Sequence, residues 1–497
     1  MRRSTLLATA ACAVAAVTAI TASGCTTAST HGTPASTASG STASAGGTAS
    51  GGAPPATAPV STGIPGKGES AAWPAYGGNQ AHTGAAPATE PAAGTLSVRW
   101  RASLDGAVYG QPLAVGGDVI AATENDTVYA LNPSTGQAAW KTHLGTPVPQ
   151  SAQHGCGDIF PLGITGTPAY DQANGLVYTV AETSGYQFTL FGLSARTGAV
   201  ALKRVLTLAA PGNDPAWDQQ RPALTIANGR VYVAWGGLDG DCGTYRGGVL
   251  GIPLSGKGAQ VTFLTPTSRE GAVWGTSGPA PGASGDLWIA IGNGAASGGA
   301  FDGSDSVTVL SPTLQRVGYF APSTWADDNA NDKDLGSTQP VLAAGNSAFI
   351  MGKRGTGYLL RSSNPAGGSL GGIGGQVTQQ SICTPFGAAA VSGSIVYEPC
   401  RNSGLTAISV SAARRRIQVR WTGPAEAGGS PVIGGGAIWA TDYAAGDGIL
   451  YELNPATGAV RNKISLGTGL PHFSSLSLAG GTAYVSTLSG VVAVSGA

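Results

Sequence analysis

One hydrophobic pattern repeats along most of the chain. An alternating or β-branched apolar run leads into a turn of Asn, Ser, Pro, Thr or Gly, and a second apolar run follows. The two clearest copies read TVYALNPSTG at residues 127–136 and ILYELNPATG at residues 449–458. Weaker copies begin at Phe188, Ser306, Gly357 and Gly404. This pattern predicts strand, tight turn and strand.

A second shared pattern lies upstream of each copy: a strand of small residues, a glycine turn and an aromatic-rich strand, as in GQPLAVGGDVIAA. Six of its eight copies carry proline at one register: Pro112, Pro168, Pro222, Pro279, Pro340 and Pro431. Eight units over residues 73–497 leave about 53 residues each, which suits a four-stranded propeller blade with its loops. We therefore predict an all-β, eight-bladed β-propeller, with seven blades as the runner-up.

The last unit, residues 473–497, is too short to supply four strands. The segment LSVRWRASL at residues 96–104 has the alternation, and the tryptophan, that end other units. We expect this N-terminal strand to complete the last blade, because closing the ring with both ends of the chain removes free sheet edges.

Residues 1–24 have the features of a lipoprotein signal peptide: a charged start, MRR, and an apolar run at residues 6–20 that is too short to be a good membrane span. The sequence ASGC resembles a bacterial lipobox, in which Cys25 becomes the lipidated first residue. Such boxes usually have Leu where this chain has Ala22, so ordinary signal-peptidase cleavage stays open.

Residues 25–72 consist almost entirely of Ser, Thr, Ala, Gly and Pro. Such a segment buries too little apolar surface to offset its ordering entropy, so it is predicted to be a disordered tether before the propeller of residues 73–497. We expect an extracytoplasmic protein that a lipid anchors to the cell membrane, or a secreted protein if the lipobox is not used.

The charge balance argues against nucleic acid as a partner. The chain has 26 basic and 26 acidic residues, and its one basic run, RRR at residues 414–416, is best interpreted as a solvated turn. We expect a monomer whose partner is a small polar molecule or an extracytoplasmic protein.

Six cysteines are present, and Cys12 and Cys25 belong to the predicted signal region. The remaining even number in an exported protein predicts two disulfides, for which three pairings are open. Their spacing does not match a zinc site.

The segments VYALNPSTGQAAW and LYELNPATGAV resemble the blade signature of the pyrroloquinoline-quinone (PQQ) repeat family of eight-bladed propellers. AWPAYGGNQAHTG, from Ala72, resembles the lead-in of quinoprotein alcohol dehydrogenases. The resemblance covers nearly all of residues 73–497. It implies the fold more than the function, because the family also has non-catalytic members, among them the lipoprotein that assists outer-membrane β-barrel assembly.

In the catalytic members a quinone and Ca²⁺ share one site, and the resemblance implies a role for four residues of this chain. AVWGTSG places Trp274 where a tryptophan stacks on the quinone, and GKRGTGYLL places Lys353 where a basic residue contacts it. IGNGA places Asn293 at the metal. DKDLGSTQPVL places Asp334 as the catalytic base and as a metal ligand.

Two departures from the family pattern weaken the catalytic interpretation. The family's vicinal cysteine pair is replaced by HGCGDI with the single Cys156, and Cys242 stands where a metal carboxylate is expected, next to Asp241. The resemblance thereby puts Cys156 and Cys242 near one mouth of the propeller, where they could bond to each other. Cys383 and Cys400 would then form the second disulfide.

Each candidate also has a plainer interpretation. Trp274 resembles other blade-packing aromatic residues, Asn293 lies in an ordinary turn sequence, and Lys353 suits a solvated loop. The crowded carboxyls of ADDNANDKDLG suit a solvated acidic loop, or a calcium site outside the EF-hand pattern. This set is Asp327, Asp328, Asp332 and Asp334.

Polar residues that precede the predicted inner strands should ring one mouth of the axial channel: Gln111, Thr167, Arg221, Gln339 and Ser430. They suit a funnel for a small polar molecule or an extended peptide, and equally a water-filled channel. The departures from the family favour a non-catalytic binding or scaffold module. The alternative is a PQQ- and Ca²⁺-dependent dehydrogenase that oxidises an alcohol or a sugar.

Overall fold

The structure is a computed structural model that describes residues 71–87, 90, 92–207, 210–363 and 370–496. The predicted signal peptide, the predicted lipidation site at Cys25 and nearly all of the predicted tether lie outside the described residues. None of the helices in the described ranges is both long enough and apolar enough to cross a membrane.

The described residues form eight β-sheets, which are the blades of an all-β propeller. The prediction of eight blades is confirmed. In blades 1 to 4, the strands from the innermost to the outermost are Leu113–Val115, Asp118–Ala122, Thr127–Leu131 and Ala138–His143; Ala169–Asp171, Leu176–Thr183, Gln187–Ser194 and Val200–Val205; Thr225–Ala227, Arg230–Gly237, Gly248–Pro253 and Val261–Leu264; Ala280–Pro281, Leu287–Ile291, Ser306–Leu310 and Arg316–Ala321.

In blades 5 to 8, the strands in the same order are Val341–Ala343, Ser347–Met351, Thr356–Arg361 and Thr378–Ser381; Ala390–Ser392, Ile395–Cys400, Gly404–Ser411 and Arg416–Thr422; Val432–Gly434, Ala437–Asp442, Ile449–Leu453 and Val460–Ser465; Leu476–Ala479, Thr482–Thr487, Gly490–Ser495 and Ser97–Ser103. Short additional strands pair at Ala71–Trp73, Asp218–Gln219 and Gly372–Ile373. The helical segments are Trp325–Ala330 and the 3₁₀ turns Tyr76–Gly78, Gln150–Ala152, Pro215–Trp217 and Leu335–Ser337.

Closure of the ring by an N-terminal strand is confirmed. Ser97–Ser103 is the outermost strand of blade 8 and pairs antiparallel with Gly490–Ser495 near the end of the chain. The pairing of the two strands extends from Ser97 opposite Ser495 to Ser103 opposite Gly490. The ring therefore closes through backbone hydrogen bonds between distant parts of the chain.

The core lies between neighbouring blades. In the second strand of blade 1, Ile120 packs into a cluster with Phe191 of blade 2, whereas Val119 packs into a cluster with Tyr484 of blade 8. Alternate side chains of one strand thus bury against opposite neighbours, which explains why many strands are apolar at every position.

The repeated turn sequence has a specific packing role. Gly136 has φ 72° in the first copy, and a β-carbon there would lie 2.6 Å from the Trp100 ring of the preceding blade. The Trp100 indole N–H donates to the carbonyl oxygen of Pro133 at 2.9 Å. In the second copy, Gly458 has φ 73° and contacts Trp421 in the same way. Glycine is needed in both copies because the backbone is left-handed and a tryptophan ring covers it.

Residues 71–87 cross the propeller axis. The amide N–H of Ile226 in blade 3 donates to Gln80 Oε1 at 3.3 Å, and the amide N–H of Ile433 in blade 7, on the opposite side of the ring, donates to the carbonyl oxygen of Gly84 at 2.7 Å. Ala71–Trp73 also pairs with the innermost strand of blade 1. This segment therefore closes the channel at the level of the inner strands.

Candidate functional site

A cavity of about 940 Å³ opens on the axis, at the end where the innermost strands begin. Its walls are the loops that precede the inner strands and the loops that follow the second strands. Tyr76 lines a small second cavity that shares Arg221 and Phe473 with the large one, so residues 71–87 form a floor beneath the large cavity. This favours a binding pocket over the open water-filled channel that the sequence also allowed.

The four residues that the family resemblance singled out come together at this cavity. Trp274, Asp334 and Lys353 line it, and Asn293 is buried directly behind Asp334. The Asn293 amide N–H donates to Asp334 Oδ1 at 2.6 Å. The catalytic, quinone-binding and metal-binding roles suggested for these residues stay predictions.

Lys353 lies between two carboxylates. Its Nζ is 2.7 Å from Asp334 Oδ2 and 2.6 Å from Asp332 Oδ1. Burial acts to lower the pKa of Lys353, but Asp334 and Asp332 raise it above its ordinary value. Burial raises the pKa of Asp334, although Lys353 opposes this rise. Lys353 therefore remains an ammonium that neutralises part of the acidic cluster.

The other two acidic residues of this segment have their own partner. Asp327 and Asp328 both form ion pairs with Arg354. Across the described ranges, no group of three or more His, Cys, Asp or Glu side chains is arranged to hold a metal ion. The predicted acidic loop is thus organised by two basic residues.

Several aromatic side chains line the ligand space, and three of them form one cluster. The rings of Phe386 and Phe473 stack, with centroids 5.6 Å apart and an interplanar angle of 11°, and each lies 6.5 Å from the ring of Trp274. Phe473 has φ 59°, which is unusual for a bulky residue, and the Ser430 hydroxyl donates to its carbonyl oxygen at 3.2 Å. Strained residues of this kind cluster at ligand sites.

The sequence interpretation missed Phe386 and Phe473, although a signal was present. Both lie just before an innermost strand, Ala390–Ser392 in one case and Leu476–Ala479 in the other. They lie four and three residues before these strands, whereas four of the five polar mouth residues lie two residues before theirs. The register of the mouth residues therefore points to Ala388 and Ser474 in these two blades, and the missed signal is an aromatic residue in the loop just upstream.

Of the five predicted mouth residues, only Arg221 lines the large cavity. Gln111 is buried and accepts hydrogen bonds from the Trp73 indole and the Gly77 amide. Gln339 is buried and accepts from the Ala290 amide at 2.9 Å. These two glutamines therefore join segments of the structure and leave the cavity to other side chains.

The remaining two mouth residues are also buried and hydrogen-bonded. The Thr167 hydroxyl accepts a hydrogen bond from the backbone N–H of Gln111 at 2.8 Å. The Ser430 hydroxyl accepts one from the backbone N–H of Ala388 at 3.1 Å. Thr167 reaches only a small second cavity beneath Arg221. Short polar side chains at this register thus hold neighbouring blades together.

Both predicted disulfides are confirmed. Cys156 and Cys242 are bonded with sulfur atoms 2.05 Å apart, and Cys383 is bonded to Cys400. Gly240 separates the first disulfide from the cavity, since a β-carbon on Gly240 would lie 3.6 Å from each sulfur. The disulfide therefore anchors the cavity wall without occupying the ligand space.

The residues present fit a planar quinone better than they fit its metal. Aromatic rings and a cavity of this size suit a flat molecule, but both oxygens of Asp334 are already hydrogen-bonded, to Asn293 and Lys353. Calcium needs about six to eight oxygen ligands, and the ammonium of Lys353 repels a second cation. Asn293 Oδ1 is the exception, because it is buried and has no hydrogen-bond partner among the described residues.

Comparisons with known proteins agree with this architecture. Residues 65–237 match a PQQ-repeat family model described as outer membrane protein assembly factor BamB. No curated protein matches the sequence.

Among solved structures, quinohemoprotein alcohol dehydrogenase from Comamonas testosteroni is similar, with 16% identity, a TM-score of 0.61, and coverage of 85% of this chain and 80% of that chain. Quinohemoprotein alcohol dehydrogenase ADHIIG from Pseudomonas putida HK5 is also similar, with 14% identity, a TM-score of 0.65, and coverage of 86% of this chain and 80% of that chain. BamB from Moraxella catarrhalis has 17% identity, a TM-score of 0.53, and coverage of 81% of this chain and 97% of that chain. At these identities the similarity shows a common fold, and the resemblance to PQQ-repeat propellers is confirmed.

Proposed function

We propose that this protein is an extracytoplasmic binding module that holds a small planar molecule in its axial cavity without catalysing its oxidation. The observation that carries the proposal is the grouping of Trp274, Phe386 and Phe473 around one floored cavity. Aromatic faces offer a large contact area at little entropic cost, so they suit a flat ligand.

Two disulfides support a location outside the cytoplasm, because reducing compartments rarely keep structural disulfides. The predicted signal peptide and lipidation at Cys25 would place the propeller at the outer face of the cell membrane. A scaffold role toward an extracytoplasmic protein belongs to the same proposal, since the propeller fold is shared with BamB.

The position of Lys353 is the reason to place catalysis second. A lysine ammonium between Asp332 and Asp334 supplies the positive charge that a bound divalent ion would otherwise supply. The carboxylates of Asp332 and Asp334 are then paired with a positive charge that belongs to the protein itself. A binding module needs no further element, whereas a calcium-dependent enzyme would need these side chains to rearrange.

A PQQ-dependent dehydrogenase is the second candidate, and the unpartnered Asn293 Oδ1 favours it because one buried oxygen ligand is left for a cation. Bound quinone would supply the two-electron oxidation of an alcohol or a sugar. Trp274 would stack on the ring system and Lys353 would contact its oxygen atoms. Asp334, a buried carboxyl beside the ligand space, would accept the hydroxyl proton.

Titration of the purified protein with PQQ, with and without Ca²⁺, tests both candidates. We expect saturable tryptophan quenching that does not require Ca²⁺ and that Trp274→Ala weakens. The control is Lys463→Ala, on an exposed strand. A second tryptophan such as Trp439 is not used, because it is fully buried and its replacement would disturb the core. Strictly calcium-dependent quenching, followed by dye reduction with an alcohol, would establish the dehydrogenase. Absence of any binding would refute a planar-ligand site.

A further inference from the structure

The floor of the cavity contains a charged side chain that the proposed function does not yet use. Arg221 lines both the large cavity and the small cavity of about 20 Å³ beneath it, which has room for about one water molecule. A ligand that enters from the mouth therefore cannot pass Arg221. Its guanidinium is the deepest cation that such a ligand can reach.

The contacts of Arg221 leave its hydrogen-bond donors unused. Its guanidinium lies over the Phe473 ring at 4.7 Å and over the Trp274 ring at 5.9 Å. Within the described ranges it forms no hydrogen bond and no ion pair. A guanidinium has five N–H donors, and those of the partly buried Arg221 are free to donate to a ligand in the cavity.

Nearby acidic groups do not fill that role. Asp158 and Asp239 act on Arg221 electrostatically, but neither is close enough to pair with it. Asp158 is exposed and lies instead 3.6 Å from His472 Nδ1. Burial and the neighbouring Arg221 lower the pKa of His472 to about 3, so His472 is neutral at physiological pH and adds no competing positive charge.

The other two cations of the cavity are placed differently. Lys353 is already held by Asp332 and Asp334. Arg401 is exposed at the rim, where its guanidinium lies over the Phe386 ring at 5.3 Å. Both arginines lie over aromatic rings, and Arg221 is the one at the inner end of the cavity, shielded from bulk solvent.

We propose that Arg221 binds the carboxylate of an aromatic acid whose ring lies among Trp274, Phe386 and Phe473. A guanidinium fork matches a carboxylate bidentately, which a lysine ammonium does not, and the pair is stronger where it is partly shielded from water. This inference rests on the proposed function, because it names the ligand class for the same cavity. It adds orientation: the acid group is directed inward and the ring lies toward the mouth.

A matched ligand pair tests the inference by calorimetry on the purified protein. 2-Naphthoate and 2-naphthalenemethanol have the same ring and differ in the charge of one substituent. We expect the wild type to bind the acid roughly 10- to 100-fold more tightly than the alcohol, the range for a charge-assisted hydrogen bond. Arg221→Gln should abolish this preference, and Arg221→Lys should retain only part of it.

Arg316→Gln is the matched control, because Arg316 also lies over an aromatic ring, that of Tyr319 at 5.1 Å, but on the exposed outer strand of blade 4. It should leave the preference unchanged. Equal binding of acid and alcohol by the wild type would overturn the role of Arg221. If Trp274→Ala still weakened both ligands in that case, the planar-ligand function would stand.

Other results separate the two proposals further. Failure of both naphthalene ligands and of PQQ to bind the wild type at millimolar concentration would refute the binding function and this inference together. An unchanged acid preference in folded Arg221→Gln would refute the inference alone. If that variant did not fold, the comparison of acid with alcohol on the wild type would still decide.

Discussion

Replacing Asp126 with Asn should make the folded protein less sensitive to rising pH. Asp126 is fully buried in blade 1, and neither of its carboxyl oxygens has a hydrogen-bond partner among the described residues. Burial and the neighbouring Glu124 carboxyl raise the pKa of Asp126 to about 8. Burial likewise raises the pKa of Glu124 to about 7. The fold therefore favours the protonated, neutral form of Asp126.

The sign and size of the effect follow from proton linkage. In the unfolded chain an Asp carboxyl has a pKa of about 3.9, so at pH 5 to 7 it has lost a proton that the folded protein retains. The stabilising contribution of Asp126 is complete below the unfolded pKa and is lost as the pH rises toward the folded value. One retained proton corresponds to about 1.4 kcal/mol per pH unit, or roughly 3 kcal/mol between pH 5 and pH 7.

Urea unfolding at pH 5, 6 and 7 measures this effect. The free energy of unfolding of the wild type should fall over this range, and that of Asp126→Asn should fall by roughly 3 kcal/mol less. Asp447→Asn, on an exposed turn of blade 7, is the matched control and should follow the wild type. Parallel pH profiles for wild type and Asp126→Asn would show that Asp126 titrates normally and would refute the reasoning.

Two further substitutions test the fold and the acidic cluster. Gly458→Ala should lower the free energy of unfolding by about 2–4 kcal/mol, because a β-carbon would strike the Trp421 ring. Gly436→Ala, with φ 72° but open space around the new carbon, should cost only about 1 kcal/mol in the same thermal or urea assay. Lys353→Met should lower the free energy of unfolding by about 1–3 kcal/mol, because it leaves Asp334 buried without its counter-charge. Adding Asp334→Asn should recover most of this loss. No recovery would mean that the ion pair is not the cause.

The repeated sequence patterns were sufficient to predict the architecture. Each blade buries both faces of its strands against neighbours, so the same apolar runs and turns must recur, and eight copies imply eight blades. Closure by the strand Ser97–Ser103 was predictable for a related reason. A blade with an unpaired outer edge leaves backbone groups unsatisfied, and only one upstream segment had the required alternation.

The details of the site were less accessible because polar residues at one register perform different tasks. Gln111 accepts a hydrogen bond from Trp73 and its amide group donates to the Ser475 hydroxyl, a residue 364 positions away. Arg221, at an equivalent position before an inner strand, faces the cavity. No local pattern distinguishes the two, since the difference lies in which distant segment supplies a partner. The path of residues 71–87 across the axis determines that outcome, and it has no repeat signature.

The two departures from the quinoprotein pattern can be understood together. Cys156 and Cys242 form one long-range disulfide behind Gly240, so a covalent link fixes the wall that a vicinal cysteine pair and a metal carboxylate would otherwise help to form. Lys353 satisfies Asp334 from within the chain. The disulfide and the pairing of Lys353 with Asp334 hold the shape and the charge balance of the cavity from within the chain. Such a preformed cavity suits the binding module proposed above, in which the donors of Arg221 supply the ligand specificity.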